Sequence, residues 1–501
     1  MPEDEQDNRL SLFTSEPVRP GADIPVFYQS QESKPHNWIG LHREGEEEFC
    51  AFAYAPGSAG VAMFSGSSFD RRGGVGPGNY RLYLYEGAGR TVLAGPVALR
   101  LTSAPYFLVD SLSAANVLAG RECRVALRGL LEACGREVTF AKVRGDFWLE
   151  VTGDGTVVGV APESAAGRYG LITVAARART SGERTTVTVR VPVRPEQGPL
   201  VDELRVATWN LWYDATQVWA AKAKVLRMVA EQNLDIVAMQ EVRQKAGTVK
   251  ELAERLGWYF QEHPGTKDVG VMSRYPIDVS RSGHGAEFLR STVSLNDLLV
   301  HVCCVHLDYH AYGPFKAPEG TRRFTAAVQQ EEMRSQRAAE MRDKILAEIA
   351  PQLDAAHRSP VIVLGDFNCP SHLDWASEVT SDPANWPATL LLEEAGLQDS
   401  YRVAHPDPGA HPGLTWSPAQ PWDETYLDPA RVEPQDRVDF IFHKGDRLRV
   451  ADSMAYVAGQ PAPAEDHPQW KKSASCPAPL WWYNAWPSDH ASVITTYRIE
   501  R

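Results

Sequence analysis

Pro360-Val-Ile-Val-Leu-Gly-Asp-Phe-Asn368 decides the reading of this 501-residue chain. Its apolar head has the character of a strand buried on both faces. Its tail changes to polar residues. Asp366 and Asn368 are two positions apart, so on an extended segment both face the same way. A buried strand that ends in a carboxylate and an amide is a scaffold for a site.

Working outward, other segments repeat this form. Leu204-Arg-Val-Ala-Thr208 leads to Asn210, Asp235-Ile-Val-Ala-Met239 to Gln240-Glu241, and Leu298-Leu-Val-His-Val-Cys-Cys-Val305 to His306-Leu-Asp308. Ser488-Asp-His490 stands near the last residue. Between the strands, Val218, Ala221, Val225, Met228 and Val229 recur at steps of three and four, which predicts a helix face. A long helix laced with Arg and Glu is predicted over about 322–350. Strands alternating with helices over 202–501 predict a sandwich of sheets with helices outside.

Upstream of the Pro/Gly-rich linker Pro192-Val-Arg-Pro-Glu-Gln-Gly-Pro199 the pattern is different. Residues 10–102 and 105–194 read as short strands between turns, such as Tyr80-Arg-Leu-Tyr-Leu-Tyr85 and Thr185-Thr-Val-Thr-Val-Arg-Val191. Regular short strands predict two all-β sandwiches, and Gly153-Asp-Gly155 predicts a hairpin turn. Lys34-Pro-His-Asn-Trp-Ile-Gly40 and Pro77-Gly-Asn-Tyr-Arg-Leu82 resemble the small immunoglobulin-like modules that accompany some phosphatases. Neither block holds a catalytic-looking set of titratable residues, so a spacer or docking role is expected.

Composition narrows the function classes. The formal charge is −13, and residues 1–200 carry only −2 of it. An acidic C-terminal part argues against a high-affinity, nonspecific duplex binder, which needs a basic face to displace counterions. No apolar run is long enough to span a bilayer. The opening Met1-Pro-Glu-Asp-Glu-Gln-Asp lacks an apolar core, which predicts a cytoplasmic protein; secretion stays open for a mature form. Seven cysteines without a CxxC pair support neither a zinc site nor a disulfide framework. Adjacent Cys303 and Cys304 should point to opposite faces of their strand.

The strand-end residues have the chemistry of phosphate-ester hydrolysis. A phosphodiester is anionic and repels hydroxide, so catalysis rests on a cation and positioned donors. Glu241 is a hard oxygen ligand suited to Mg2+ or Mn2+, and Asn210 offers a neutral carbonyl beside it. Asp366 could orient or deprotonate a water, and Asn368 could donate to a phosphoryl oxygen. His306 and His490 are the candidate acid and base. A histidine base usually needs a carboxylate behind it, and Asp439 in Arg437-Val-Asp439 could supply one.

These blocks, with Gly270-Val-Met-Ser-Arg-Tyr-Pro276, resemble the endonuclease/exonuclease/phosphatase superfamily, which includes pancreatic deoxyribonuclease and bacterial sphingomyelinases. The resemblance spans about 203–499. It implies a multi-domain chain: two N-terminal immunoglobulin-like sandwiches followed by a four-layer α/β sandwich catalytic domain. It also implies metal binding by Asn210, Glu241 and Asp489, a His490 base oriented by Asp439, and catalytic roles for His306, Asp366 and Asn368. Some nucleases of the family carry an acid where this chain has Trp212, which favours one strongly held metal.

Two insertions bear on substrate. Residues 309–325 could form a lid, with Tyr309, His310 and Tyr312 as candidate substrate contacts. The aromatic stretch before His490, from Pro468-Gln-Trp-Lys-Lys472 to Trp486, could dock on lipid, stack on bases or pack inward. The reading is therefore a divalent-metal-dependent phosphoesterase, hydrolysing a phosphodiester by in-line water attack with a His base. Nuclease, sphingomyelinase-like lipase and phosphomonoesterase are its alternatives. A phosphoester is the expected partner, nucleic acid and a membrane surface both stay open, and no obligate protein partner is expected.

Overall fold

The computed structural model describes residues 8–12, 17–18, 24–34, 36–55, 57–64, 76–87, 89–102, 104–133, 135–218, 220–265, 267–318, 320–377, 386–419, 433–458, 484 and 486–500. The chain divides into two compact units: Met1–Ala104 with Glu424–Ala430 and Ala458–Trp486, and Pro105–Asp423 with Arg431–Val457 and Pro487–Arg501.

Among the described residues, the first unit is built of two antiparallel sheets. One orders Arg9–Leu12, Ile24–Lys34 and Gly57–Phe64; the other orders Phe49–Tyr54, Trp38–Arg43, Gly78–Tyr85 and Val92–Leu101. Alternation along each strand sends Val26 and Phe64 from one sheet, and Ile39, Leu41, Leu82 and Leu84 from the other, into one shared core. Burying side chains of that size stabilises the unit by roughly 1.5–3 kcal/mol each.

In the second unit, residues 105–194 contribute a sheet around Val138–Gly145, Tyr169–Ala178 and Arg184–Arg194 and a smaller one of Glu122–Ala126, Thr156–Val160 and Glu150–Val151. The latter contains the hairpin at Gly153-Asp-Gly155, pairing Glu150 with Val158. This β-rich block docks on the α/β part through polar contacts. Arg227 Nε donates to the Leu108 carbonyl at 2.9 Å, and Asn116 Nδ2 to that of Leu200 at 2.8 Å.

Among the described residues, two six-stranded sheets form the α/β part. The first orders Tyr259–Glu262, Val269–Ser273, Ile236–Gln240, Glu203–Asn210, Ser492–Ile499 and Leu448–Tyr456. The second orders Gly283–His284, Phe288–Ser294, Leu299–His306, Val361–Asp366, Asp439–Lys444 and Gln398–Asp399. Leu204, Val206, Ile236 and Ala238 from the first meet Val302, Cys304, Ile362, Leu364 and Ile441 from the second in one apolar core. The opposite face of the second sheet, with Cys303, Val363 and Phe442, packs on Met341, Ile345 and Ile349 of helical segments. Cys303 and Cys304 do lie on opposite faces, as period two requires.

The long helix predicted over 322–350 is broken. Ala326–Glu332 is capped by Thr325, and after a break come Arg337–Ala339, a π-helical Glu340–Leu346 and Ala347–Asp354. The break has an electrostatic cause. Gln336 N donates to Asp308 Oδ2 at 2.8 Å instead of to a helix carbonyl. Fully buried Arg337 turns inward to pair with Glu332 and to donate to the carbonyls of Asp308, His310 and Ala311 at 2.8–2.9 Å.

Candidate active site

Register assembles the site. His301–His306 pairs in parallel with Val361–Asp366, which pairs antiparallel with Asp439–Lys444, so His306, Asp366 and Asp439 form a single cross-strand row. They share the face of Cys304, Leu364 and Ile441, two positions along each strand, and so point into the seam between the sheets at its end. From the facing sheet, Asn210 continues the series of Leu204 and Val206, and Glu241 follows Gln240 at a positive φ of 56°. Apolar residues fill the seam; where the strands end, the same faces carry acids, amides and imidazoles.

Gly365 makes the row possible. A Cβ there would stand 1.9 Å from the Val305 carbonyl oxygen. Only glycine lets the strands approach.

Asp366 is the hub. Its Oδ2 accepts from Asn210 Nδ2 at 3.1 Å and lies 3.6 Å from His306 Nε2 and 3.7 Å from His490 Nε2. Its Oδ1 accepts from the Asn368 amide at 2.8 Å, and Asn368 Nδ2 donates to the Leu307 carbonyl at 3.0 Å. Asn210 Nδ2 also reaches Glu241 Oε1 at 3.1 Å, while Glu241 Oε2 accepts from Tyr213 N at 2.6 Å. Ser488 Oγ donates to the Asn210 carbonyl at 2.6 Å and accepts from His490 N at 3.0 Å, tying the last segment to the first strand. His490 Nδ1 and Asp439 Oδ2 are 2.9 Å apart. The Trp416 ring packs against the His490 imidazole, centroids 4.7 Å apart.

The electrostatics follow from crowding buried acids. Burial alone would lower the pKa of His490, but Asp439 and Asp366 outweigh it and push it up to about 10. Burial raises the Asp489 carboxyl to about 7, with His490 opposing and Glu241 adding to the shift. Asp439 is likewise raised by burial against the pull of His490. For His306 burial is again outweighed, here by Asp268 and Asp366, and the pKa rises.

Such a density of negative charge fits a cation. Glu241, Asp489 and the Asn210 carbonyl oxygen are hard donors of the kind Mg2+ or Mn2+ takes. Among the described residues, Asp366, Asp439 and His490 also bring one potential ligand atom each within 4.8 Å of one another. In that second set Asp439 and one His490 nitrogen are already engaged with each other in hydrogen-bond geometry, as both Glu241 oxygens are with Asn210 and Tyr213 in the first.

The structure thus brings together Asn210, Glu241, His306, Asp366, Asn368, Asp439 and His490, with Asp489 beside His490. The candidate substrate contacts fare differently. Tyr309 is 68% exposed and stacks on His310, centroids 4.1 Å apart; His310 Nδ1 in turn meets Asp308 Oδ1 at 2.6 Å. Tyr312 is partly buried and its hydroxyl donates to Asp436 Oδ2 at 3.0 Å, so that group is engaged within the protein. Trp486 is a correction: at 1% exposure it packs inward and offers no face to a substrate. Lys471, Lys472, Trp481 and Trp482 lie outside the described residues. Asp268 was not anticipated. Its Oδ1 stands 3.0 Å from His306 Nδ1, and its only mark in the sequence is its place before the strand Val269–Ser273.

Residues 207–490, more than half of the chain, match the Endonuclease/Exonuclease/phosphatase family. An uncharacterized protein of Caenorhabditis elegans, F14F9.5, is 28% identical over 311 residues, 59% of this chain and 91% of that one. Among solved structures, the AP endonuclease LMAP from Leishmania major aligns at 14% identity and a TM-score of 0.36 over 60% of this chain and 89% of its own. A chimeric titin Z1Z2-Z1Z2 tandem aligns at 15% identity and a TM-score of 0.20 over 37% of this chain and all of its own.

Proposed function

Because this chain belongs to the endonuclease/exonuclease/phosphatase family, we propose that it is a divalent-metal-dependent phosphodiesterase. The finer fold reading goes with it: a four-layer α/β sandwich over 202–501, preceded by immunoglobulin-like domains over 10–102 and 105–194. The observation that carries the function is the position of Asp366 Oδ2, 3.6 and 3.7 Å from two imidazole nitrogens, each imidazole backed by a carboxylate.

With Mg2+ or Mn2+ held by Asn210, Glu241 and Asp489, a phosphoryl oxygen would be polarised and the acids partly neutralised. A cation held there would also weaken the field that keeps His490 protonated. Neutral His490, held in one tautomer by Asp439, then takes a proton from the attacking water at Nε2. Asp366, its Oδ1 held by the Asn368 backbone N–H, orients that water. His306, protonated and backed by Asp268, donates to the phosphate and can supply the proton that an alkoxide leaving group requires. An acid in this position favours an ester with an unactivated alkoxide leaving group.

The test is a panel with and without Mg2+: bis-p-nitrophenyl phosphate, p-nitrophenyl phosphate, plasmid DNA, RNA and sphingomyelin. Metal-stimulated turnover of a diester, lost in His490→Ala with the fold retained, is expected. Equal rates in chelator and in Mg2+ would overturn the reading.

A further inference from the structure

Directly after Asn210 the backbone turns with the opposite hand to an ordinary helix. Trp212, Tyr213, Asp214 and Ala215 have φ of 45°, 50°, 62° and 54° in succession, and ψ at Tyr213 and Asp214 is 62° and 30°. Residues with a Cβ are strained in this left-handed region, Asn and Asp least so, and visit it singly rather than in runs. None of the four is glycine. Glu241, bonded to the turn, adds another positive φ of 56°. Strain of this kind persists only where the surroundings over-determine it.

Hydrogen bonds show what holds the turn. A single turn has no internal partners for its first N–H groups, and here they are spent on two neighbouring site residues. Trp212 N donates to Asn210 Oδ1 at 3.0 Å and Tyr213 N to Glu241 Oε2 at 2.6 Å. Asp214 N donates to the Glu241 carbonyl at 2.8 Å, and Ala215 N closes the turn on the Leu211 carbonyl at 2.7 Å. Asn210 Oδ1 and Glu241 Oε2 each keep a further lone pair for an ion. The side chain of Asp214 locks the arrangement from behind. It is buried, and its Oδ1 accepts from Arg243 N at 2.8 Å, with Thr248 Oγ1 at 3.5 Å. Glu241 is thereby bracketed, its carbonyl held by the Asp214 main chain and the backbone two residues on by the Asp214 carboxylate. Thr216 Oγ1 donates to the Tyr213 carbonyl at 2.6 Å and pins the exit.

We propose that the left-handed turn Trp212–Ala215 presents Asn210 Oδ1 and Glu241 Oε2 to a divalent cation, with Asp214 as its positioning residue; this rests on the metal-dependent reading above. Asp214→Gly removes the carboxylate and adds no backbone strain, because glycine takes a φ of 62° freely. Asp214→Asn keeps an Oδ1 acceptor on a residue type that tolerates this conformation.

The test is calorimetric titration of Mn2+ into the metal-free full chain, with near-ultraviolet circular dichroism to check the fold of each variant. Kd should rise about 10–100-fold in Asp214→Gly and return close to the parent value in Asp214→Asn. Thr216→Val, at an exposed position, should raise it by less. Glu241→Gln sets the scale for loss of a ligand charge. A lock that served the fold alone would lower the thermal midpoint and leave Mn2+ affinity unchanged. Parent-like affinity in Asp214→Gly, or in Thr216→Val should the glycine variant not fold, would therefore overturn the proposal and leave the phosphoesterase reading standing. Asp214→Asn binding as weakly as Asp214→Gly would also overturn it, by assigning the loss to charge. A parent chain that binds no Mn2+, or binds it equally well as Glu241→Gln, would overturn the metal-dependent reading and the proposal with it.

Discussion

Asp268 Oδ1 stands 3.0 Å from His306 Nδ1, the same relation that Asp439 bears to His490 at 2.9 Å. Both imidazoles turn their other nitrogen to Asp366. The site thus contains two carboxylate–imidazole pairs that differ in enclosure, since Asp439 is fully buried and Asp268 is partly open.

That difference ranks two variants. Asp439→Asn removes a desolvated charge and favours the wrong tautomer of the base, which should lower kcat by on the order of 10³–10⁴. Asp268→Asn disturbs a more solvated pair and should cost roughly ten- to a hundredfold. Steady-state kinetics on the same diester would check the order. A larger loss for Asp268→Asn would make His306 the residue that takes the water's proton.

Gly365 links fold and site, because the row of His306, Asp366 and Asp439 exists only where two strands close over a missing side chain. Gly365→Ala should lower stability by about 2–4 kcal/mol by forcing the strands apart. Activity should fall further than stability alone explains, because Asp366 moves with the strand. A thermal midpoint like that of the parent chain would contradict the close approach.

Arg337 holds the loop that follows His306 by donating to three of its carbonyls while paired with buried Glu332. Arg337→Met leaves Glu332 as a lone buried charge and should cost roughly 3–5 kcal/mol. Adding Glu332→Met should restore part of that loss, but not the loop contacts. Denaturant melts of both singles and the double would measure the coupling. Additive effects would mean that the two charges do not depend on each other.

Much of this architecture is legible in the sequence because each strand is apolar until its last residues. Asn210, Glu241, His306 and Asp366 announce themselves by interrupting such runs. Asp268 does not, since an acid just before a strand is what any solvated turn would show. The break at Arg337 is equally silent: Arg and Glu at helical spacing look like an exposed helix face, and only the carbonyls of residues 308–311 give that arginine a reason to turn inward. Trp486 misleads for the opposite reason, because an aromatic residue near a site reads alike whether it stacks on a ligand or fills a core.

Buried histidines away from the site contribute to the pH dependence of stability. His443 Nδ1 meets Ser400 Oγ at 2.9 Å, and Ser400 Oγ also meets the Tyr497 hydroxyl at 2.6 Å. Burial pushes the His443 pKa down to about 4, partly offset by a hydrogen bond with the Gln398 backbone. His301, beside Arg290 and Arg281, is also lowered to about 4, chiefly by burial. In the unfolded chain both titrate near pH 6.5. Between those values the unfolded state binds more protons at these two sites than the folded one, so their contribution to stability falls as pH drops from about 6.5 towards 4, opposed by buried carboxyls such as Asp489, whose pKa is raised to about 7. His443→Gln keeps a polar group of similar reach and removes one titration. The stability difference between it and the parent chain should therefore move in its favour as pH falls from 7 to 5, as measured by urea melts at pH 7, 6 and 5. Parallel curves for the two proteins would mean that His443 is not held neutral in the folded state.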